Sequence, residues 1–485
     1  MLQTDRPAVP ALPYGAAPRK KGLLGFFQPD PPLPVRVSDP EQIAAGFRRG
    51  QIKVLIWATL GYALFYFVRK NLSIAMPVMG KELGLQKQDM GLFLTLHGVL
   101  YGISKFGNGF LGDRANARTF MAAGLILSAL TNVFFGLTSA VVVFGILWML
   151  NGWFQGMGFP PCARLLTHWF PPKELATKMS IWNTSHSIGA GVVVVLCGGL
   201  IAVHARYPIL GAGNSWRLCF LVPAALAIVC AIVMLFTLPD TPASVGLPDV
   251  AGTTLADDLR PTDDVTDDVQ SAAAFRAFIR RHVFGNPYIW LIAIANFFVY
   301  TVRYAIFDWG PTALHEAKGM AIPTAAWLMF AFEISGIAGM LVCGWVTDRY
   351  FGGRGARTCV LSMVGCVGAA LLLWWFPGKS VAAYTVILCL AGFFIYGPQA
   401  LVGIAVANLA TKRAAATAVG LTGIFGYAST VLSGWGFGVL VQRAGWDWGF
   451  FAILATAIAG TLMFVIAWPA KAHGYSNPTT SATPS

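Results

Sequence analysis

Apolar residues in this 485-residue chain come in runs of about 20, divided by short polar stretches and by one long break. A helix of that length crosses a hydrocarbon core of ~30 Å, and lipid offers no partner to an open backbone hydrogen bond. The pattern predicts twelve helices, at approximately 54–79, 90–111, 119–138, 141–165, 179–202, 216–238, 288–314, 324–346, 358–376, 381–407, 415–441 and 448–468. The expected fold class is therefore an all-α membrane protein with six-helix halves at 51–238 and 288–468. A linker at 239–287 joins them, and polar tails flank them at 1–50 and 469–485. The linker carries Asp257, Asp258, Asp263, Asp264, Asp267 and Asp268 and ends basic at Arg276, Arg280 and Arg281. Such a composition buries no core, with at most a short amphipathic helix at its end.

Composition narrows the class further. The chain is 56% hydrophobic and 11% charged, against roughly 25% charged in soluble domains. Its eight cysteines lie mostly in apolar runs without metal-ligand spacing, so neither a metal site nor a disulfide framework is expected. The first 50 residues are Pro-rich and basic and lack the apolar core of a signal peptide. The net charge of +13 raises the question of nucleic acid, which its distribution answers. Of the Lys and Arg residues, 23 fall in the tails, the linker and the even-numbered loops, and 7 in the odd-numbered loops. The positive-inside rule then puts both termini and the linker in the cytoplasm. The surplus charge is a topology signal, and no basic patch is left for a nucleic acid.

An internal repeat divides the chain. Gly109-Phe110-Leu111-Gly112-Asp113-Arg114, after helix 2, matches Gly344-Trp345-Val346-Thr347-Asp348-Arg349, after helix 8. Asp113 and Asp348 are 235 positions apart, and Arg69 and Arg303, in helices 1 and 7, are 234 apart. A shared offset points to duplication of a six-helix unit. The resulting pseudo-symmetric halves around a central cavity resemble the major facilitator superfamily. The repeated Asp-Arg segments are expected at inner gates, with Asp113 and Asp348 meeting helix ends beside Arg114 and Arg349.

Four basic residues fall inside the apolar runs: Arg69, Lys70, Lys105 and Arg303. A charge at the middle of a spanning helix costs ~2.5–3.5 kcal/mol on insertion scales, so it faces a cavity or a partner. Arg69 and Arg303 lie at equal depths in the two halves. A guanidinium presents a rigid fork that matches phosphate oxygens bidentately, so the pair suits a multivalent anion. The competing reading gives each Arg a buried carboxylate, for which Asp308 and Glu333 are the deep candidates. Lys105 either joins the site or snorkels from the inner end of helix 2. Lys70 points about 100° away from Arg69 and suits an acid partner. His186 is either a structural histidine or a ligand whose ordinary pKa of ~6.5 lies near the second pKa of a phosphate monoester, ~6. Tyr62, Tyr66, Tyr101 and Tyr300 either donate to phosphate or fill the bundle.

These residues match a known family. Gly61-Tyr62-Ala63-Leu64-Phe65-Tyr66-Phe67-Val68-Arg69-Lys70-Asn71 resembles the first-helix signature of the organophosphate:inorganic phosphate antiporters. Gly152-Trp153-Phe154-Gln155-Gly156-Met157-Gly158-Phe159-Pro160-Pro161-Cys162 resembles their fourth helix, and Trp182-Asn183-Thr184-Ser185-His186 their fifth. Tyr300-Thr301-Val302-Arg303-Tyr304-Ala305-Ile306-Phe307-Asp308-Trp309 resembles the seventh, and Tyr396-Gly397-Pro398 the tenth. The resemblance runs from about residue 48 to 468. It implies that Arg69 and Arg303 grip a phosphoryl group and that His186 joins them. It places Lys105, Tyr66, Tyr101, Asn183, Tyr300, Tyr396 and Tyr427 in the cavity, and gives Asp308 and Glu333 electrostatic roles. Members of the family carry glycerol-3-phosphate, hexose phosphates or phosphoglycerate, and one branch senses hexose phosphate for a histidine kinase. Residues 61–70 and Asn116-Ala117-Arg118 look most like the sensor and hexose-phosphate branches, and helices 7 and 8 like the glycerol-3-phosphate branch. Helix 11 lacks the charged pair of the hexose-phosphate transporter.

The expectation is an inner-membrane antiporter exchanging an organic phosphate for inorganic phosphate by rocking of its halves, with a non-transporting sensor of a histidine kinase as the alternative. No nucleophile–base constellation or phosphate loop suggests an enzyme, and no cofactor is expected.

Overall fold

The computed structural model describes residues 23–33, 39–248, 250, 276–410 and 414–470. The acidic run of the linker and most of both tails lie outside them. Twelve long helical segments are present among the described residues, numbered here α1 to α12. The first, α1, spans Pro40–Leu83. Asp39 caps it by accepting from the Glu41 amide at 3.1 Å, Pro40 fits its first turn, and Gly84 ends it in the left-handed region at φ 66°. The helix thus begins well before the apolar run at 54, because its cap and opening turns are polar and stand outside the hydrocarbon.

The first half continues with α2 (Lys87–Arg114) and α3 (Ala117–Leu137). Then come α4 (Val141–Gln155, resuming at Phe159–Trp169), α5 (Pro172–Asn183 and Ser185–Arg206) and α6 (Ser215–Thr237). The interruption in α4 falls at Gly156-Met157-Gly158, ahead of Pro160 and Pro161, where glycine flexibility and missing amide donors break the ladder. The second half holds α7 (Pro287–Glu316), α8 (Ile322–Phe351), α9 (Gly355–Trp375) and α10 (Val381–Leu409). It ends with α11 (Ala415–Thr430, a π-turn at Val431–Gly436, then Phe437–Ala444) and α12 (Trp446–Ile466). The repeated Asp-Arg segments, expected in loops, instead form the last turns of α2 and α8.

Among the described residues, eleven of these helices are long and apolar enough to cross a membrane. The exception is α2, which packs between α4 and α11. It carries His97, Tyr101, Ser104, Lys105 and Asn108, polar groups it can afford because they meet protein and a cavity.

Lipid tails do not drive helices together by hydrophobicity, so small residues and interhelical hydrogen bonds do more of the work. The side-chain amides of Asn132 (α3) and Asn151 (α4) both donate to the Val68 carbonyl, at 2.8 and 2.7 Å, and Gln155 donates to the Phe65 carbonyl at 2.9 Å. Asn71 donates to Asn132 at 2.8 Å. These bonds bracket Arg69 along α1 and fix the rotation of that helix. On the linker side, Asp240 accepts from the Ala117 amide at 2.9 Å while its carbonyl accepts from the Trp169 indole at 3.1 Å. The start of the linker is thereby tied to α3 and α4.

In the second half, α8 and α10 touch through backbone. A β-carbon on Gly339 would lie 2.8 Å from the Phe393 Cα, and one on Gly392 2.9 Å from the Phe332 carbonyl carbon. Gly339→Val and Gly392→Val are expected to lower the thermal unfolding midpoint of the detergent-purified protein, at an overpacking cost of about 1–3 kcal/mol or more each. Gly368→Val, which meets nothing within 4 Å, should leave it in place.

Candidate functional site

A cavity of about 690 Å³ lies between the halves. Its walls include Gly109 and Ala163 near the ends of α2 and α4, Asn296 near the start of α7, and Gly403 near the end of α10. All of these lie toward the membrane face that carries the linker, so the cavity opens there.

The opposite face is shut by contacts between the halves. Lys70 of α1 meets Asp308 of α7 at 2.6 Å, both buried. Lys87 pairs with Glu316 at 2.8 Å, and its amide donates to Gln442 at 3.1 Å. The Thr95 hydroxyl donates to the Thr430 carbonyl and accepts from the Trp435 amide, both at 2.8 Å. A β-carbon on Gly198 of α5 would lie 2.7 Å from that of Ala326 of α8.

Behind Tyr300 and Tyr427, which line the cavity, the predicted residues form a closed belt. The Arg69 guanidinium lies 4.2 Å from the Tyr101 ring and 5.4 Å from that of Tyr66. Tyr66 neighbours His186 at 5.8 Å, and His186 neighbours Tyr396 at 6.1 Å. Tyr396 lies 4.5 Å below the Arg303 guanidinium and accepts a 2.7 Å hydrogen bond from it. The circuit returns through Tyr304, Tyr300 and Tyr427 to Tyr101, with ring spacings of 5.4, 6.4 and 5.0 Å. Tyr66, Arg69, Tyr101 and His186 come from the first half and the rest from the second. Tyr304 escaped the sequence reading, although its place directly after Arg303 was the available signal.

The two arginines differ. Arg69 is 8% exposed and forms no hydrogen bond or ion pair among the described residues. Arg303 has Glu333 at 3.8 Å, beyond hydrogen-bond length, and its Nε is unpartnered. Of the two carboxylates weighed as partners for the arginines, Glu333 lies near Arg303, Asp308 pairs with Lys70, and none lies beside Arg69 among the described residues. Both Glu333 oxygens are buried without a hydrogen-bond partner among the described residues.

His186 Nδ1 faces the Asn183 carbonyl. A carbonyl only accepts, so that nitrogen carries the proton. Asn183 thus reaches the belt through its backbone, while its side chain is exposed and makes no hydrogen bond among the described residues. Lys105 does not snorkel away: its ammonium donates to the Tyr427 hydroxyl at 3.1 Å and lines the cavity. Arg114 lies over the Phe110 ring at 3.9 Å. Asp348 and Arg349 are exposed and make no hydrogen bond or ion pair among the described residues, and the Asp113 side chain lies outside them. Among the described residues, Asp348 and Arg349 form none of the gate contacts expected of them.

The belt can therefore hold an anion. It combines an uncompensated guanidinium, a second one partly screened, and an ammonium with several phenol hydroxyls as hydrogen-bond donors.

The family model for the Major Facilitator Superfamily matches residues 58–434. The glycerol-3-phosphate transporter of Bacillus subtilis (strain 168) is 37% identical over 459 residues, covering 92% of this chain and 98% of the relative. A probable hexose phosphate transport protein of Chlamydia muridarum is also 37% identical, over 92% of this chain and 97% of its own length. The membrane sensor protein UhpC of Salmonella typhimurium is 36% identical over 90% and 95%.

Removing one partner of a buried ion pair strands the other charge, at a cost of roughly 3–5 kcal/mol. Lys70→Ala and Asp308→Ala should each destabilise the purified protein on that scale. The double replacement should cost less than either, which a double-mutant cycle of thermal unfolding measures.

Proposed function

The chain belongs to the major facilitator superfamily, and we propose that it is an antiporter of the bacterial inner membrane exchanging an organic phosphate for inorganic phosphate. The observation that carries this reading is Arg69, a buried cation with no carboxylate beside it among the described residues. A bare charge at that depth is sustained by water in the open cavity or by an anion. Inorganic phosphate satisfies it, and so does the phosphoryl end of glycerol-3-phosphate, a sugar phosphate or phosphoglycerate.

Obligatory exchange follows from the same charge. Closing the linker-side mouth over an empty belt would dry Arg69 and bring it nearer the other cations, where repulsion strengthens as the dielectric falls. A bound phosphate removes that penalty. The halves then rock, breaking the Lys70–Asp308 and Lys87–Glu316 contacts on one face as the other closes. His186 neighbours a tyrosine of each half, which supports a role in reporting occupancy to both.

The similarity to a membrane sensor favours a second reading, in which the same site is occupied without net transport and a membrane histidine kinase reads its state. Proteoliposomes loaded with radiolabelled phosphate separate the two. Phosphate efflux that needs an external organic or inorganic phosphate supports the antiporter, and binding without efflux supports the sensor.

The clamp is tested by charge-conserving substitution. Arg→Lys keeps the charge and loses the fork. Losing a charge-assisted hydrogen bond of ~1.5–3 kcal/mol corresponds to about a ten- to hundred-fold weaker affinity. Arg69→Lys and Arg303→Lys should therefore fail nearly as badly as the alanine variants in phosphate exchange, at normal expression. Normal exchange by both Lys variants, or by either Ala variant, would remove the clamp.

For orientation, the excess of basic residues in the tails, linker and even-numbered loops supports cytoplasmic termini and a cavity that opens to the cytoplasm. In single-cysteine variants, position 260 should be shielded from an impermeant thiol reagent in intact cells and position 206 labelled. The reverse pattern would invert the topology.

A further inference from the structure

Between the belt and the mouth, three helices repeat one arrangement. On α7, Asn296, Tyr300 and Arg303 lie at i, i+4 and i+7, on one helix face, and Asn296 is about 10 Å nearer the mouth than Arg303 at 1.5 Å per residue. On α10, Gln399 lies one turn toward the mouth from Tyr396, the residue that accepts from Arg303. On α11, Gly423 and Gly420 lie one and two turns toward the mouth from Tyr427. All four displaced residues line the cavity.

Two of them carry acceptors without a partner among the described residues. Asn296 is 4% exposed, and its amide nitrogen donates to the Thr422 carbonyl at 2.8 Å. That bond fixes the flip of the amide and leaves Oδ1 as the free end, buried and without a partner among the described residues. Gln399, half-buried, likewise has Oε1 buried and without a partner among the described residues, though no hydrogen bond fixes the flip of its amide. Buried polar atoms are ordinarily paired, so an orphan acceptor on a cavity wall calls for a donor from whatever fills the cavity. The glycines supply the room. A β-carbon on Gly403, Gly420 or Gly423 meets nothing within 4 Å, so the wall beside the two amides recedes instead of being packed by side chains.

We propose that this bay is the subsite for the organic group, and that it reads the hydroxyls of a polyhydroxylated chain long enough to extend from the belt to Asn296, such as a sugar phosphate. The inference rests on the phosphate-binding role of the belt. Hydroxyls donate to Asn296 Oδ1 and Gln399 Oε1, and the glycine wall admits the carbon skeleton. Inorganic phosphate leaves the bay to water. Glycerol-3-phosphate, with three carbons, engages it incompletely.

The test uses the purified full-length protein and isothermal titration with inorganic phosphate, glycerol-3-phosphate and glucose-6-phosphate. The reading is the ratio of glucose-6-phosphate affinity to phosphate affinity. One lost neutral hydrogen bond should lower that ratio about fivefold in Asn296→Leu and in Gln399→Leu. Gly423→Leu projects into open space, so it should fold normally and lower the ratio further. The glycerol-3-phosphate ratio should fall less in all three. A glucose-6-phosphate ratio unchanged in Gly423→Leu and in either amide variant overturns the bay. A wild-type protein that binds none of the three compounds overturns the phosphate site itself, and the bay with it. Binding is measured, so the result does not depend on whether the protein transports or senses.

Discussion

A guanidinium in the middle of a membrane helix must be kept wet or given an anion, and the architecture around Arg69 answers to that constraint. The amide bonds from Asn132, Asn151 and Gln155 hold α1 at one rotation, so Arg69 meets the rings of Tyr66 and Tyr101 and not lipid. The halves part on one face around a cavity lined by Lys105, Tyr300 and Tyr427, and lock on the other through Lys70–Asp308. The site and the gate are then one electrostatic arrangement, since the neighbouring residues Arg69 and Lys70 serve the two tasks on different sides of one helix.

Duplication placed an arginine at matching depth in each half, but the halves have diverged in how they treat it. Arg303 is held by the Tyr396 hydroxyl and partly screened by Glu333, so it is a positioned donor with a reduced field. Arg69 keeps its full charge. In the proposed function, the bare cation draws an anion from the mouth and the fixed one orients it. The symmetry of the backbone thus carries an asymmetric site.

Much of this was legible in the chain, for identifiable reasons. Arg69 and Arg303 stand out because charge inside an apolar run is costly, and Lys70, Asp308 and Glu333 stand out for the same reason. What the pattern of runs could not show was distance across the bundle. Lys105 looked as able to snorkel as to bind until its contact with Tyr427, 322 residues away, was seen. Glu333 and Asp308 were both candidates for the arginines, and only the fold shows that Glu333 lies by Arg303 while Asp308 meets Lys70. The start of α1 at Pro40 was missed because hydropathy marks the hydrocarbon and not the helix. Tyr304, Asn296 and Gln399 drew no notice because a tyrosine or an amide in a transmembrane run is ordinary, and only an unfilled hydrogen bond makes it informative.

The low apolarity of α2 bears on how the chain is made. Each of the other eleven helices can partition into the bilayer on its own merits as it leaves the ribosome, whereas α2 falls short. In the folded bundle it packs on α4 through Gly152 and His97. Its remaining partner, α11, is synthesised some 300 residues later. Until then the cavity face of α2 has no second wall, and Lys105 has no Tyr427. Assembly of the first half therefore depends on a helix that becomes fully housed only when the second half arrives.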